Sequence, residues 1–207
     1  MASRLERFRA RFASISVDTA TNAIEALEAA ARRGERENSD APIQACAQAL
    51  GLGADFPAVR ACMCMPARET TKLLPGAAAL LGDAKGLGLA RLVVTNAFWR
   101  DGASYCIDFA DFEIDSLVDE VVTSIDAGSR KPDLKIFEDA LRLADCPPEA
   151  AVYIGNDEVR DITPARGMGM RTVRVAIEEP PPESSQADFV VTSLDEVRRY
   201  LWRWVVA

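Results

Sequence analysis

Histidine is absent from all 207 residues. That excludes Ser-His-Asp and Cys-His catalysis within the chain, and every His-ligated metal site. A surplus of positive charge is also missing. There are 24 Lys and Arg against 32 Asp and Glu, a net charge of −8, whereas a general nucleic-acid binder would carry a basic patch. No apolar run is long enough to cross a membrane. Met1 to Arg11 is basic, but no apolar segment of the secretory type follows it. The five cysteines are odd in number and suggest no disulfide framework. A reduced, cytoplasmic protein is therefore the expectation. No internal repeat or low-complexity block stands out.

What is present is a chain with 49% hydrophobic residues, enough for a real core, and a length that fits one domain or one domain with a small appendage. Its chemistry has to come from carboxylates, Lys, Thr and Cys. Phe12 to Val17 reads as a short strand ending at Asp18, and Ala23 to Arg33 as a helix with an apolar face at Ile24, Leu27, Ala30 and Ala31. Pro42 suits the first turn of a helix over Ile43 to Leu50, and Phe56 to Cys64 reads as another. Pro66 to Lys72 has no clear pattern. From Leu74 the texture changes to alternation. A helix over Gly76 to Leu81 precedes a strand at Ala90 to Thr95, and a strand at Glu120 to Thr123 precedes a helix at Pro132 to Leu143. That helix has its apolar face at Leu134, Phe137 and Leu141. Strands at Ala151 to Ile154, Thr172 to Val175 and Asp188 to Val191 follow, and Ser193 with Glu196 forms a capping box for a last helix. The pattern predicts an α/β fold with a doubly wound parallel sheet, behind a small, mostly helical N-terminal region.

The stretch AVYIGNDEVRDITPARGMGMRTV, residues 151 to 173, organises the rest. A buried-type strand stops at Gly155, two acids follow at Asp157 and Asp161, and a helical pattern ends at Gly167-Met168-Gly169. Open α/β sheets place their ligands at such strand ends. Acids there either cap the following helix or hold a hard cation such as Mg²⁺, and the stretch alone leaves both readings open. Two further strand ends carry polar groups: Thr95 and Asn96, and Lys131 just before a helix. A hydroxyl, a lysine and a carboxylate pair at one sheet edge suit phosphoryl chemistry. The hydroxyl and backbone N–H groups hold phosphate oxygens, the lysine neutralises charge, and the acids hold Mg²⁺.

The segments PGAAALLGDAKGLGLARLVVTNA, EVVTSIDAGSRKPDLKIFEDAL and PPEAAVYIGNDEVRDITPARGMGMRTVRV resemble, in order and spacing, three motifs of the haloacid dehalogenase-like (HAD) superfamily, over roughly residues 73 to 195. The resemblance implies that Thr95 binds phosphate, with Asn96 beside it. It makes Lys131 the lysine that binds phosphate and assists catalysis, and Asp157 and Asp161 the metal acids in a G-N-D-x-x-x-D variant. It implies a Mg²⁺-dependent phosphatase acting on a small phosphorylated metabolite. The dehalogenase branch fits less well, because it does not need the metal that the acid pair suits. Residues 1–72 would form a helical cap region over a core at 73–207.

The family's first motif, D-x-D-G-T, is not found; no D-x-D precedes Thr95. By resemblance its strand lies mid-sheet, between the strands that end at Thr95 and Gly155. Its omission would leave a gap of about one strand, ~4.8 Å, with unpaired backbone on both sides. Phe12 to Val17 with Asp18 as nucleophile is the candidate within the chain, although Ala20 stands where the acid/base would be. Asp18 also reads as an ordinary helix cap. The rival expectation is a non-catalytic HAD-like protein that binds a ligand or protein partner. A homodimer stays open, with apolar area at Trp202-Arg203-Trp204. Cys62-Met63-Cys64-Met65 reads as soft core packing rather than a metal site.

Overall fold

A computed structural model describes residues 8–33, 41–64, 72–97, 100–177 and 184–205. Among the described residues, a helical stretch at 8–11 comes first, followed by three helices: α1 (Val17–Arg33), α2 (Ala41–Ala49) and α3 (Phe56–Cys64). They enclose a core of their own. Phe8 and Phe12 meet with ring centroids 4.9 Å apart, and Ile24, Ile43, Val59 and Met63 are buried with them. Cys62 and Met63 are packing residues of this core.

The expected strand over Phe12 to Val17 is not formed. Residues 8–11 are helical, a turn follows, and Val17 already begins α1. Two features explain the outcome. Phe12 is buried in the helical core, and the Ser16 hydroxyl accepts the amide of Thr19 at 3.2 Å, an N-terminal cap that starts a helix. Asp18 lies in the first turn of α1, where a negative charge complements the helix dipole.

The second part alternates: α4 (Ala77–Gly86), β1 (Leu92–Thr95), α5 (Gly102–Asp111), β2 (Glu120–Thr123), α6 (Leu134–Leu143), β3 (Val152–Gly155), α7 (Thr163–Gly167), β4 (Arg171–Val175), β5 (Phe189–Val191) and α8 (Leu194–Val205). All strand pairs are parallel, as α/β crossovers require. Helix α5 was not anticipated. Asp101 starts it, its carboxylate accepting the Ser104 amide at 2.9 Å. The apolar face of α6 is also rotated from expectation. Ile136, Phe137 and Ala140 are buried, while Leu134 is 46% exposed. Leu134 follows the cap Asp133 directly and sits ahead of the buried stripe.

The five strands fall into two sheets, β1-β2 and β3-β4-β5, and no described strand joins them. One apolar core nevertheless underlies both. Phe137 and Ile136 of α6 pack with Leu92 and Val94 of β1, Val122 of β2 and Tyr153 of β3. The hydrogen bonds show which edges are left over. The Arg91 and Thr95 carbonyls accept amides from the β2 side, so the Leu92 and Val94 backbones turn away from β2. The Ala151 carbonyl accepts the Arg171 amide, so the Val152 and Ile154 backbones turn away from β4. The break falls where the resemblance puts its absent first strand.

Candidate active site

The loop before α6 brings Lys131 into the break between the sheets. Its backbone is clamped by Asn96. The Asn96 side-chain amide donates to the Lys131 carbonyl at 2.9 Å, and the Lys131 amide donates to the Asn96 oxygen at 2.8 Å. The Asn96 side chain is thus used to fix the lysine. The ammonium donates to the Val94 carbonyl at 3.1 Å, the Tyr153 hydroxyl at 3.2 Å and Asp161 Oδ1 at 2.6 Å. A lysine has three donor hydrogens, and here three acceptors face them. One acceptor belongs to β1, one to β3 and one to the turn after β3, so Lys131 ties the two sheets together. The side chains of Lys131 and Asp161 are 12% and 6% exposed, and at that depth removal of one partner is costly.

Asp161 reaches this position because of Gly155. A Cβ on Gly155 would lie 2.5 Å from Asp161 Cβ and 2.8 Å from its Cγ, closer than atoms pack. The chain after β3 makes one π-helical turn, Glu158–Ile162. The Asp157 amide donates to Asp161 Oδ2 at 3.1 Å, fixing the second oxygen of the buried carboxylate. The Tyr153 hydroxyl stands 3.4 Å from Asp161 Oδ1. Burial, and then the Asp161 charge, push the Tyr153 phenol well above its ordinary range, so it stays protonated.

Asp157 is the cap of the π turn. Its Oδ1 accepts the amides of Val159 and Arg160 at 3.0 and 2.8 Å, and Oδ2 accepts Arg160 Nε at 2.8 Å. Burial alone would raise its pKa. The Arg160 side chain and the backbone amides outweigh it and hold the carboxyl below its usual range. As arranged, the acid pair does not fit a divalent cation. Asp157 faces a guanidinium, Asp161 faces an ammonium, and among the described residues no group of three metal-ligating side chains stands together. Hard cations need several open oxygens.

Thr95 closes β1, and none of the described residues hydrogen-bonds its hydroxyl, which is half-buried. Asp18 is solvent-exposed on α1, in the helical part rather than at a strand end. Lys131, Asp161, Asn96 and the end of β1 therefore meet, while Asp157 stands one turn out on Arg160. A cavity of about 370 Å³ lies elsewhere, against α5 and β2, and none of these residues lines it. Sequence reasoning did not find Tyr153, whose signal was an aromatic two residues before a strand-terminal glycine. It also missed Glu158 and Arg174. Arg174 stands opposite Gly155 in the β3-β4 register and donates to Glu158 at 2.8 Å. Glu158 further accepts the Ser185 hydroxyl at 2.7 Å and the Gln186 amide at 2.7 Å, pinning the segment before β5 to the site.

The family model for haloacid dehalogenase-like hydrolases matches residues 45–175. "Haloacid dehalogenase-like hydrolase domain-containing protein 3" of Xenopus laevis is 37% identical over 111 residues, 53% of this chain and 43% of that protein. A glyceraldehyde 3-phosphate phosphatase of Methanothermobacter thermautotrophicus is 39% identical over 82 residues, 38% of this chain and 36% of that protein. The chain thus spans less than half the length of these curated relatives. Among solved structures, a HAD phosphatase from Thermococcus onnurineus superposes with a TM-score of 0.64 at 19% identity, covering 95% of this chain and 86% of that one. A 2-haloacid dehalogenase from Pseudomonas syringae pv. Tomato superposes with a TM-score of 0.67 at 19% identity, covering 98% and 90%. These two are likenesses of fold.

Proposed function

Because this chain belongs to the haloacid dehalogenase-like hydrolases, we propose that it is a phosphatase acting on a small phosphorylated metabolite at the carboxyl ends of β1 and β3. The observation that supports the reading is the meeting of Lys131 and Asp161 beside the end of β1, in a chain with phosphatase-named relatives. In this reading the Thr95 hydroxyl donates to a phosphate oxygen, and the Lys131 ammonium neutralises charge on the phosphoryl group as its ester bond breaks, the alcohol leaving and water supplying the new oxygen. To do so Lys131 releases the Val94 carbonyl and keeps Tyr153 and Asp161. Residues 1–72 are the cap region over the core at 73–207. Magnesium at Asp157 and Asp161 is part of the sequence expectation. Arg160 would have to leave Asp157 before that carboxylate could take a cation.

A second reading, a non-catalytic member that binds a ligand or partner, is favoured by two observations. No D-x-D precedes Thr95, and all three donors of Lys131 are occupied. Hydrolysis of p-nitrophenyl phosphate and of triose and sugar phosphates, with and without Mg²⁺, separates the two. Turnover by the wild type supports the phosphatase. A folded wild type that binds orthophosphate without turnover supports the second reading. Asp18→Asn is expected to keep most of the wild-type rate, because Asp18 is exposed on α1.

A further inference from the structure

We propose that Tyr153 is a positioning residue of this site, holding the Lys131 ammonium at the height where it meets substrate; the inference rests on the phosphatase reading. The Tyr153 hydroxyl accepts from Lys131 at 3.2 Å. Its single proton is then free to point at Asp161 Oδ1, 3.4 Å away. The hydroxyl therefore sits between cation and anion and takes part with both. The phenol itself is fixed from below. Its ring meets Phe137 with centroids 5.1 Å apart, and Phe137 is fully buried in α6. The Lys131 ammonium lies 5.8 Å from the centroid of the same ring, off its hydroxyl end, so it is the hydroxyl that acts on the lysine. A phenol is uncharged at neutral pH, so the hydroxyl serves as a neutral spacer between the two charges. It directs the ammonium without competing with an incoming anion for charge. Of the three acceptors around Lys131, Asp161 is held by the Asp157 amide and Val94 offers a backbone carbonyl of β1. Tyr153 is the one whose accepting group stands on a side chain packed against Phe137.

The test is a double-mutant cycle of Tyr153→Phe and Lys131→Met. It is read as orthovanadate affinity by calorimetry and as kcat and KM for p-nitrophenyl phosphate. Phenylalanine keeps the ring on Phe137, so melting by circular dichroism is expected to stay cooperative. Tyr153→Phe alone should weaken orthovanadate binding about five- to tenfold, as for one lost hydrogen bond of ordinary net strength, and lower kcat more than it changes KM. In the Lys131→Met background it should add less than about a twofold effect, because a residue acting through the lysine has nothing left to act on. Equal effects of Tyr153→Phe in both backgrounds, or none in either, overturn the inference and leave the phosphatase reading standing. A folded wild type that neither binds orthovanadate nor turns over overturns the phosphatase reading, and the inference with it.

Discussion

Gly155 carries more of the site than its size suggests. It is the point where the Asp161 side chain passes over the end of β3, and a methyl group there would collide with Asp161 Cβ and Cγ, not with a flexible tip. Gly155→Ala is expected to destabilise the fold by about 1–3 kcal/mol, as overpacking does, and to lengthen the Lys131–Asp161 contact. Chemical denaturation of the variant checks the first part, and a crystal structure the second. At this scale the sequence was legible in residue types rather than in pairings. Lys131, Asp157 and Asp161 were all visible as strand-end residues. That Lys131 meets Asp161 while Asp157 turns to Arg160 depends on a π turn, which no periodicity in E-V-R-D-I announces. Tyr153 was hidden for the opposite reason, since an aromatic in a strand reads as core.

Among the elements, the turn after β3 is coupled to the segment before β5 through Glu158. Burial alone would raise the pKa of this carboxyl. The Gln186 amide, the Ser185 hydroxyl and Arg174 outweigh burial and hold it below the ordinary range. A carboxyl with a depressed native pKa adds stability above its unfolded pKa, and that stability is lost as pH falls through the native value. Glu158→Gln should therefore cost about 1–2 kcal/mol at neutral pH. The difference from wild type should shrink toward zero below the usual glutamate range, which urea melts across pH would reveal. Most elements were readable: α3 and β2 match their expected limits, and α2 and β1 lie within two residues of theirs. The exceptions have local causes. Phe12 to Val17 alternates well enough for a strand, yet Phe12 is claimed by a helical core and Ser16 caps a helix. Helix α5 begins on an Asp101 cap and had no strong apolar stripe to announce it.

For the whole molecule, the separation into two parallel sheets over one core is the dominant feature. It was foreseeable as an absence, because the chain has no D-x-D before Thr95. What reaches into it among the described residues, the single ammonium of Lys131, was not foreseeable. The edges that no described strand pairs predict a pattern of amide exchange. Leu92, Val94, Val152 and Ile154 should exchange faster than Val93, Thr95 and Tyr153, which face their ladder partners; uniform protection along β1 and β3 would mean that the two sheets are joined. The central claim is that the Lys131 end of this seam is where a phosphate monoester is bound and cleaved. It is tested most directly by p-nitrophenyl phosphate turnover of the wild type beside Lys131→Met. Loss of a preorganised cation should lower kcat/KM by about 10²–10³-fold in a variant that still melts cooperatively. A Lys131→Met protein that hydrolyses the ester at the wild-type rate would contradict the account.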